Sequence, residues 1–343
     1  MPDGGPVIVG ISRSTEKIRE IVRKVADVDL NVLISGESGV GKELVARSLH
    51  YFSSRKKRPF IKVNCAALPG ELIETELFGY EKGAFTGADK QKMGKFEAAA
   101  DGSIFLDEIG EIPMSMQAKL LQVLQDQKFP RIGGHKEIDA RARVIAATNR
   151  NLEAEILSGN FREDLYFRIN TISIVVPPLR ERPEDVEPLV YYFLDRLSKE
   201  HRLPKPDISP RLMKLLKGYH WPGNVRELEN YLKRLLVLGE SKELEAELEA
   251  AGDGWNSETD TASSQEAVIE EAAKEVLPNK NSREKQFPSL KEVRDKAVYR
   301  VERALIKQVL EETNWNRREA AKILKISYRA LLYKLKDMNL TPH

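Results

Sequence analysis

Lys42 closes the run Gly36-Glu37-Ser38-Gly39-Val40-Gly41-Lys42, and Glu43 follows it. The run lies between an apolar stretch, residues 30–34, that reads as a buried strand, and residues 44–49, which have helical spacing. Strand, glycine loop and helix start together make an anion cradle. Glycines let backbone N–H groups turn inward onto phosphate oxygens, and the helix N-terminus adds positive potential. The lysine that ends such a loop reaches the β- and γ-phosphates as a point charge. A Ser or Thr hydroxyl that ligates Mg²⁺ usually comes next. Glu43 stands there instead, so one expected metal ligand is missing.

Two further strand-like runs end in reactive groups. Residues 103–108 are apolar and finish in Asp107 and Glu108. At the C-terminal edge of a parallel sheet these carboxylates would face the phosphate loop. One can hold Mg²⁺, and the other can orient or deprotonate an attacking water. Residues 143–149 finish in Thr148 and Asn149, whose hydroxyl and amide can bond the γ-phosphate or that water. Two acids at a strand end are commonplace alone; with Lys42 upstream they point to phosphoryl-transfer chemistry at bound phosphates.

The elements that must position these groups follow from periodicity. Residues 15–26 place Ile18, Ile21, Val22 and Val25 at helical spacing. Residues 59–64 read as a strand ending in polar Asn64, 68–77 as a helix and 172–176 as a strand stopped by Pro177-Pro178. Strands alternating with helices predict an α/β fold, a doubly wound parallel sheet. From 183 to 238 the pattern is helical. Val186, Leu189, Val190, Phe193, Leu194 and Leu197 share one face, Leu212, Leu215 and Leu216 mark a second helix, and 225–238 a third. Residues 79–94 read as a long loop hinged by Gly79, Gly83, Gly87 and Gly94, with Ala84-Phe85-Thr86 as a protruding, mobile tip.

The net charge of +2 hides segregation. Residues 240–276 hold twelve acidic side chains against two lysines, and 289–343 hold thirteen basic against seven acidic. An acidic linker before a basic tail suggests a polyanion partner for the tail. In the tail, 290–310 read as an amphipathic helix, followed by short helices over 317–324 and 327–336, the second capped by Ser327. Ala320, Ala321 and Leu324 would pack on Leu331, Leu332 and Leu335. This is a helix-turn-helix, with Tyr328, Arg329, Tyr333 and Lys334 facing a major groove and Arg317, Arg318 and Lys325 adding charge. Double-stranded DNA is the expected partner. The single cysteine, Cys65, excludes an internal disulfide. No apolar run approaches ~18 residues, so no membrane span and no membrane partner are expected, and a cytoplasmic location is the expectation.

At this point the motifs resemble those of bacterial enhancer-binding proteins, the sigma-54-dependent transcriptional activators with an AAA+ ATPase domain. Gly83-Ala84-Phe85-Thr86-Gly87-Ala88 is similar to the family's signature loop at every position, and Gly36 to Glu43 to its phosphate loop, with Val40 where Thr is usual. Trp221-Pro222-Gly223-Asn224-Val225-Arg226-Glu227-Leu228 also matches, and the tail resembles a Fis-type helix-turn-helix. The resemblance implies a P-loop AAA+ subdomain over 1–176, a helical lid over 177–239, a linker over 240–288 and a DNA-binding domain over 289–343.

It also implies roles. Lys42 binds phosphate, Asp107 serves Mg²⁺, Glu108 activates water, and Asn64 is a switch that holds Glu108 away. Thr148 and Asn149 form the first sensor and Arg226 the second. Arg162 and Arg168 match arginine fingers given to a neighbouring subunit, which implies a ring, a hexamer by analogy, with a dimer formed through the DNA-binding domain. The Gly83–Ala88 loop would grip sigma-54 RNA polymerase. Relatives commonly carry a regulatory domain before the ATPase. Here the core begins about ten residues from Met1, which suggests a shortened chain or control by a separate protein. Two other readings stay open at this stage: an AAA+ remodeller of another protein or nucleic acid, and a non-catalytic DNA-binding regulator.

Overall fold

The computed structural model describes residues 5–67 and 70–239, and beyond them positions 244, 246, 248, 299, 303, 306, 309, 310, 313, 315–323, 328, 331, 334 and 335. The chain divides into two compact units, Met1–Gly252 and Asp253–His343.

The first unit opens with helix α1, Arg13–Val25. Ser12 caps it by accepting from Thr15 N–H, and Glu16 and Arg23 sit at the ends that suit the helix dipole. Strand β1, Val32–Ser35, and helix α2, Lys42–Tyr51, flank the phosphate loop. Then come β2, Phe60–Asn64, α3, Gly70–Phe78, β3, Gly79–Tyr80, β4, Lys92–Met93, and α4, Lys95–Ala99. Strand β5, Ser103–Asp107, precedes α5, Met114–Asp126, and the short β6, Lys128–Pro130, and β7, Glu137–Asp139. Strand β8, Arg143–Thr148, α6, Leu152–Leu157, α7, Glu163–Ile169, and β9, Ile172–Val175, complete this half.

Five strands form one parallel sheet in the order β2-β5-β8-β1-β9. Its inner strands are continuous apolar runs because helices cover both faces. Phe105, Ile145, Ile34 and Ile174 pack on one side with α1 and α2, and Ile104, Leu106, Val144 and Ala146 on the other with α3, α5 and α7. The doubly wound α/β expectation is met, with strand ends within a residue or two of those read from periodicity.

The helical lid consists of α8, Val186–His201, α9, Pro210–Gly218, and α10, Asn224–Leu238. The α8 face is the one anticipated, Val186 to Leu197. It packs on Leu212, Leu216, Leu228, Leu232 and Leu235 around Trp221, which is 1% exposed and donates from its indole N–H to the Leu216 carbonyl at 2.9 Å.

Residues 79–94 differ from the long loop expected of them. Gly79–Tyr80 pairs antiparallel with Lys92–Met93, so the base is a hairpin. A second hairpin, β6 with β7, binds the first through Glu81 N–H to Ile132 O and Ile132 N–H to Gly79 O, each 3.0 Å. These strands of two or three residues are too short to show a period. At the tip Gly83 N–H donates to Ala88 O at 2.9 Å, and the Phe85 ring meets Tyr80 edge-on at 4.9 Å while remaining 45% exposed.

In the second unit, helix α11, Arg317–Ile323, lies where the first short tail helix is expected. Ala320, Leu331 and Leu335 join Ile306, Val309 and Leu310 in one buried cluster against Trp315. That is the packing anticipated for these members of the helix-turn-helix. Ala321, Leu324 and Leu332 lie outside the residues whose side chains are described, as do Arg318, Lys325, Ser327, Arg329 and Tyr333 and most of the 240–288 linker. Arg317 and Tyr328 are exposed.

Candidate active site

Lys42 is the first residue of α2, and Gly41 before it has φ 104°, a conformation that favours glycine. The Lys42 ammonium is buried, donates to Gly36 O at 2.8 Å and Glu37 O at 3.1 Å, and stands 3.9 Å from Glu108 Oε1. Burial pushes its pKa down, and the Glu108 and Asp107 carboxylates oppose that shift. Gly39 is required by close approach, since a Cβ there would fall 2.3 Å from Gly223 O, just ahead of the third lid helix, α10.

The sheet register brings the strand-end groups to one edge. Ser35 lies opposite Thr148 across β1 and β8, and Asn64 opposite Asp107 across β2 and β5. Glu108 follows with φ 55°, a left-handed turn that costs a residue with a side chain of order 1 kcal/mol or more. Its Oε2 accepts from Asn149 N–H at 3.3 Å. Thr148 Oγ1 accepts from Arg150 N–H at 3.0 Å, and Asn64 Oδ1 accepts from Ala66 N–H at 3.0 Å. Among the described residues Glu108 is thus bonded to Asn149 rather than to Asn64.

The lid closes over this edge through four side chains. Arg180 forms a two-pronged ion pair with Glu37, at 2.5 and 2.9 Å, and Asn224 Nδ2 donates to Glu37 Oε2 at 3.1 Å and to Ser38 O at 3.0 Å. The Arg180 hydrogen bond, against an opposing cost of burial and with help from Asn224, pulls the Glu37 carboxyl down to about 2. Arg226 N–H donates to Gly39 O at 3.3 Å, and its guanidinium lies 3.4 Å from Ser38 Oγ. Buried Arg182 donates to Val40 O at 3.0 Å.

Behind Arg182, Asp185 is fully buried and accepts from Ile11 N–H, Ser12 N–H, Ser12 Oγ and Thr15 Oγ1, all within 2.7 Å. The chain ahead of α1 is thereby fastened to the start of the lid.

A cleft of about 420 Å³ remains between loop, sheet edge and lid, lined by Lys42, Glu43, Lys62, Asp107, Glu108 and Arg226 among others. Glu43 does not point to an empty metal position. It accepts from Arg47 at 2.8 Å and from Lys62 at 2.6 Å. Burial works against its charge, but these two bonds hold its carboxyl below the usual range. Lys62 also reaches Asp107 Oδ2 at 3.2 Å.

Arg162 and Arg168 are not brought to this cleft within one chain. Arg162 clamps Asp164 at 2.6 and 3.0 Å, and Arg168 donates to Leu124 O at 2.7 and 3.1 Å beside a separate cavity of about 140 Å³. Sequence reasoning gave no role to Lys62, Arg180, Arg182 or Asn224. The signals were present: a lysine inside an otherwise apolar strand, two arginines just past Pro177-Pro178, and an asparagine opening α10.

A glycine loop after β1 of a five-stranded parallel sheet of this order, with paired acids at the end of β5 one strand beyond the adjoining β8, and a helical lid, defines an AAA+ ATPase. The comparisons with known proteins narrow the class. Residues 8–175 match the model of the sigma-54 interaction domain, 180–263 the AAA+ ATPase lid domain, and 298–338 the bacterial regulatory protein, Fis family. Regulatory protein AtoC of Escherichia coli is 44% identical over 98% of this chain and 67% of its own length. The Nif-specific regulatory protein of Herbaspirillum seropedicae is 50% identical over 67% of this chain and 43% of its own. Among solved structures, NtrX from Brucella abortus in complex with ADP aligns with a TM-score of 0.65 and 31% identity, covering 99% of this chain and 70% of that one. The chain belongs to the sigma-54-dependent activators, the AAA+ family with a Fis-type helix-turn-helix. Among the described residues no helix is long and apolar enough to cross a membrane.

Proposed function

We propose that this chain hydrolyses ATP as a ring, uses the cycle to remodel the sigma-54 RNA polymerase closed complex through the Gly83–Ala88 loop, and is held at upstream DNA by its Fis-type domain. The observation that carries the reading is the convergence of Lys42, Asp107, Glu108 and Arg226 on one cleft closed by the lid, with Thr148 buried at the same sheet edge opposite Ser35. Phosphoryl transfer needs charge neutralisation and positioning more than covalent chemistry, and this cleft offers both. Lys42 neutralises the β- and γ-phosphates. Glu108, held by Asn149 N–H, takes the proton of the attacking water. Thr148 and Asn149 report on the γ-phosphate, and Arg226 couples it to the lid. Asn64 takes hold of Glu108 in another nucleotide state.

The donor set suits Mg²⁺. Asp107 already draws a cation, the Lys62 ammonium, and the described residues hold no cluster of three potential metal ligands. Mg²⁺ in nucleotide sites is held by one or two carboxylates together with phosphate oxygens. Bound at Asp107 it would neutralise charge on the transferred phosphoryl group.

Arg162 and Arg168 sit away from their own cleft, as fingers offered to a neighbour would. A ring of six, the DNA-bound dimer and a cytoplasmic place of action complete the proposal. The half-exposed Phe85 ring is the apolar contact for sigma-54.

The test is ATP turnover against protein concentration. Specific activity should rise cooperatively in the wild type and fall on the order of a thousandfold in Arg168→Ala. Flat specific activity, indifferent to Arg168→Ala, would remove the ring mechanism. Phe85→Ala should keep turnover and lose open-complex formation; unimpaired transcription would remove the role of the loop.

A further inference from the structure

Lys62 has no place in the roles above, yet it stands at the carboxylate on which metal binding depends. It lies on β2, two residues before Asn64 and on the same face, opposite Phe105 of β5. From there its ammonium crosses to two carboxylates on different elements, Glu43 Oε2 at 2.6 Å and Asp107 Oδ2 at 3.2 Å. Glu43 is itself fixed by Arg47 one helical turn along α2.

We propose that Lys62 is a tethered cation that competes with the divalent metal for Asp107, and that Glu43 is the site to which its ammonium withdraws when the metal binds. An ammonium and a divalent cation cannot share one small carboxylate without mutual repulsion. Glu43, placed where a hydroxyl ligand is usual, gives the ammonium a second anchor. The shorter bond is to Glu43, so loss of the Asp107 contact leaves Lys62 paired. Lys62 acts on the metal through Asp107 and is a positioning residue, not a catalytic one. A plain surface ion pair would leave metal affinity unchanged, which separates the two roles.

The inference rests on the reading of the cleft as a Mg²⁺-nucleotide site. The experiment is fluorescence anisotropy of mant-ADP on the full chain, titrated with MgCl₂. In Lys62→Met the Mg²⁺ concentration at half-maximal enhancement should fall roughly threefold, the size of effect expected of a partly exposed ion pair. Lys62→Arg, which keeps a cation, should stay near wild type. Electron paramagnetic resonance of free Mn²⁺ with ADP should give the same order for Lys62→Gln, which guards against a folding defect in the Met variant. An unchanged or raised midpoint in Lys62→Met and Lys62→Gln, with mant-ADP still bound, overturns the proposal alone. Failure of the wild type to bind mant-ADP at any Mg²⁺ concentration overturns the nucleotide reading, and this inference with it.

Discussion

Arg180 of the lid grips Glu37 of the phosphate loop with both of its terminal nitrogens, at 2.5 and 2.9 Å. The pair makes loop and lid parts of one charge-linked unit, and it carries a pH signature. Glu37 has a folded pKa of about 2 against an ordinary value of 4.5. A carboxyl depressed by folding contributes stability above its unfolded pKa and loses it as pH falls towards the folded one. Wild type should therefore exceed Glu37→Gln in thermal stability at pH 6, with the margin shrinking between about pH 4.5 and 2. Both side chains are more than a third exposed, so solvent screening limits the margin to about half a kcal/mol. A margin that grows on acidification would contradict the assignment.

Glu108 is held by Asn149 N–H and stands 3.9 Å from Lys42. Glu108→Gln keeps its shape and loses its basicity. Turnover should drop roughly 10²- to 10⁴-fold while mant-ATP affinity stays close to wild type. Equal losses in binding and turnover would instead make Glu108 a binding residue.

Trp221 is the largest fully buried side chain of the lid, and Tyr219 and Tyr231 pack on it edge-on. Trp221→Ala should destabilise the protein by about 3–5 kcal/mol. Hydrogen exchange should then quicken in α8 to α10 before it does in the central sheet. Uniform quickening would show that lid and sheet unfold as one.

Cys65 is buried just past Asn64, and desolvation, with Asp107 and Glu108 nearby, pushes its thiol up to about 12. The protonated, enclosed thiol should resist Ellman's reagent in the native protein and react only on unfolding. Rapid native reaction would mean that β2 and the turn after it open readily.

The parts legible in the sequence were those with a period or a motif. The strands announced themselves as apolar runs over 30–34, 59–64, 103–108, 143–149 and 172–176, the inner β1, β5 and β8 most plainly because helices cover both their faces and leave no polar side to blur the signal. The lid helices were legible from the stripe that runs from Val186 to Leu197. Other features were not. The hairpin base of the Gly83–Ala88 loop rests on two-residue strands, and the hold of Asp185 on Ile11 and Ser12 joins groups more than 170 positions apart. Lys62 could be seen as polar in an apolar strand, but its partners become neighbours only when β2 is laid beside β5. Charge partners across a fold leave no periodic trace.

The fastening at Asp185 has a mechanical meaning. Ile11 and Ser12 hang from its carboxylate, Arg182 stands 3.8 Å from the same group, and Arg182 in turn holds the Val40 carbonyl. Gly10 lies so close that a Cβ there would come within 2.6 Å of the Asp185 carboxyl carbon. A tug on the backbone at Gly10 thus has a path of only a few bonds to the loop that cradles the phosphates. The chain ahead of α1 and the phosphate loop are yoked by a short linkage through two buried side chains, Asp185 and Arg182.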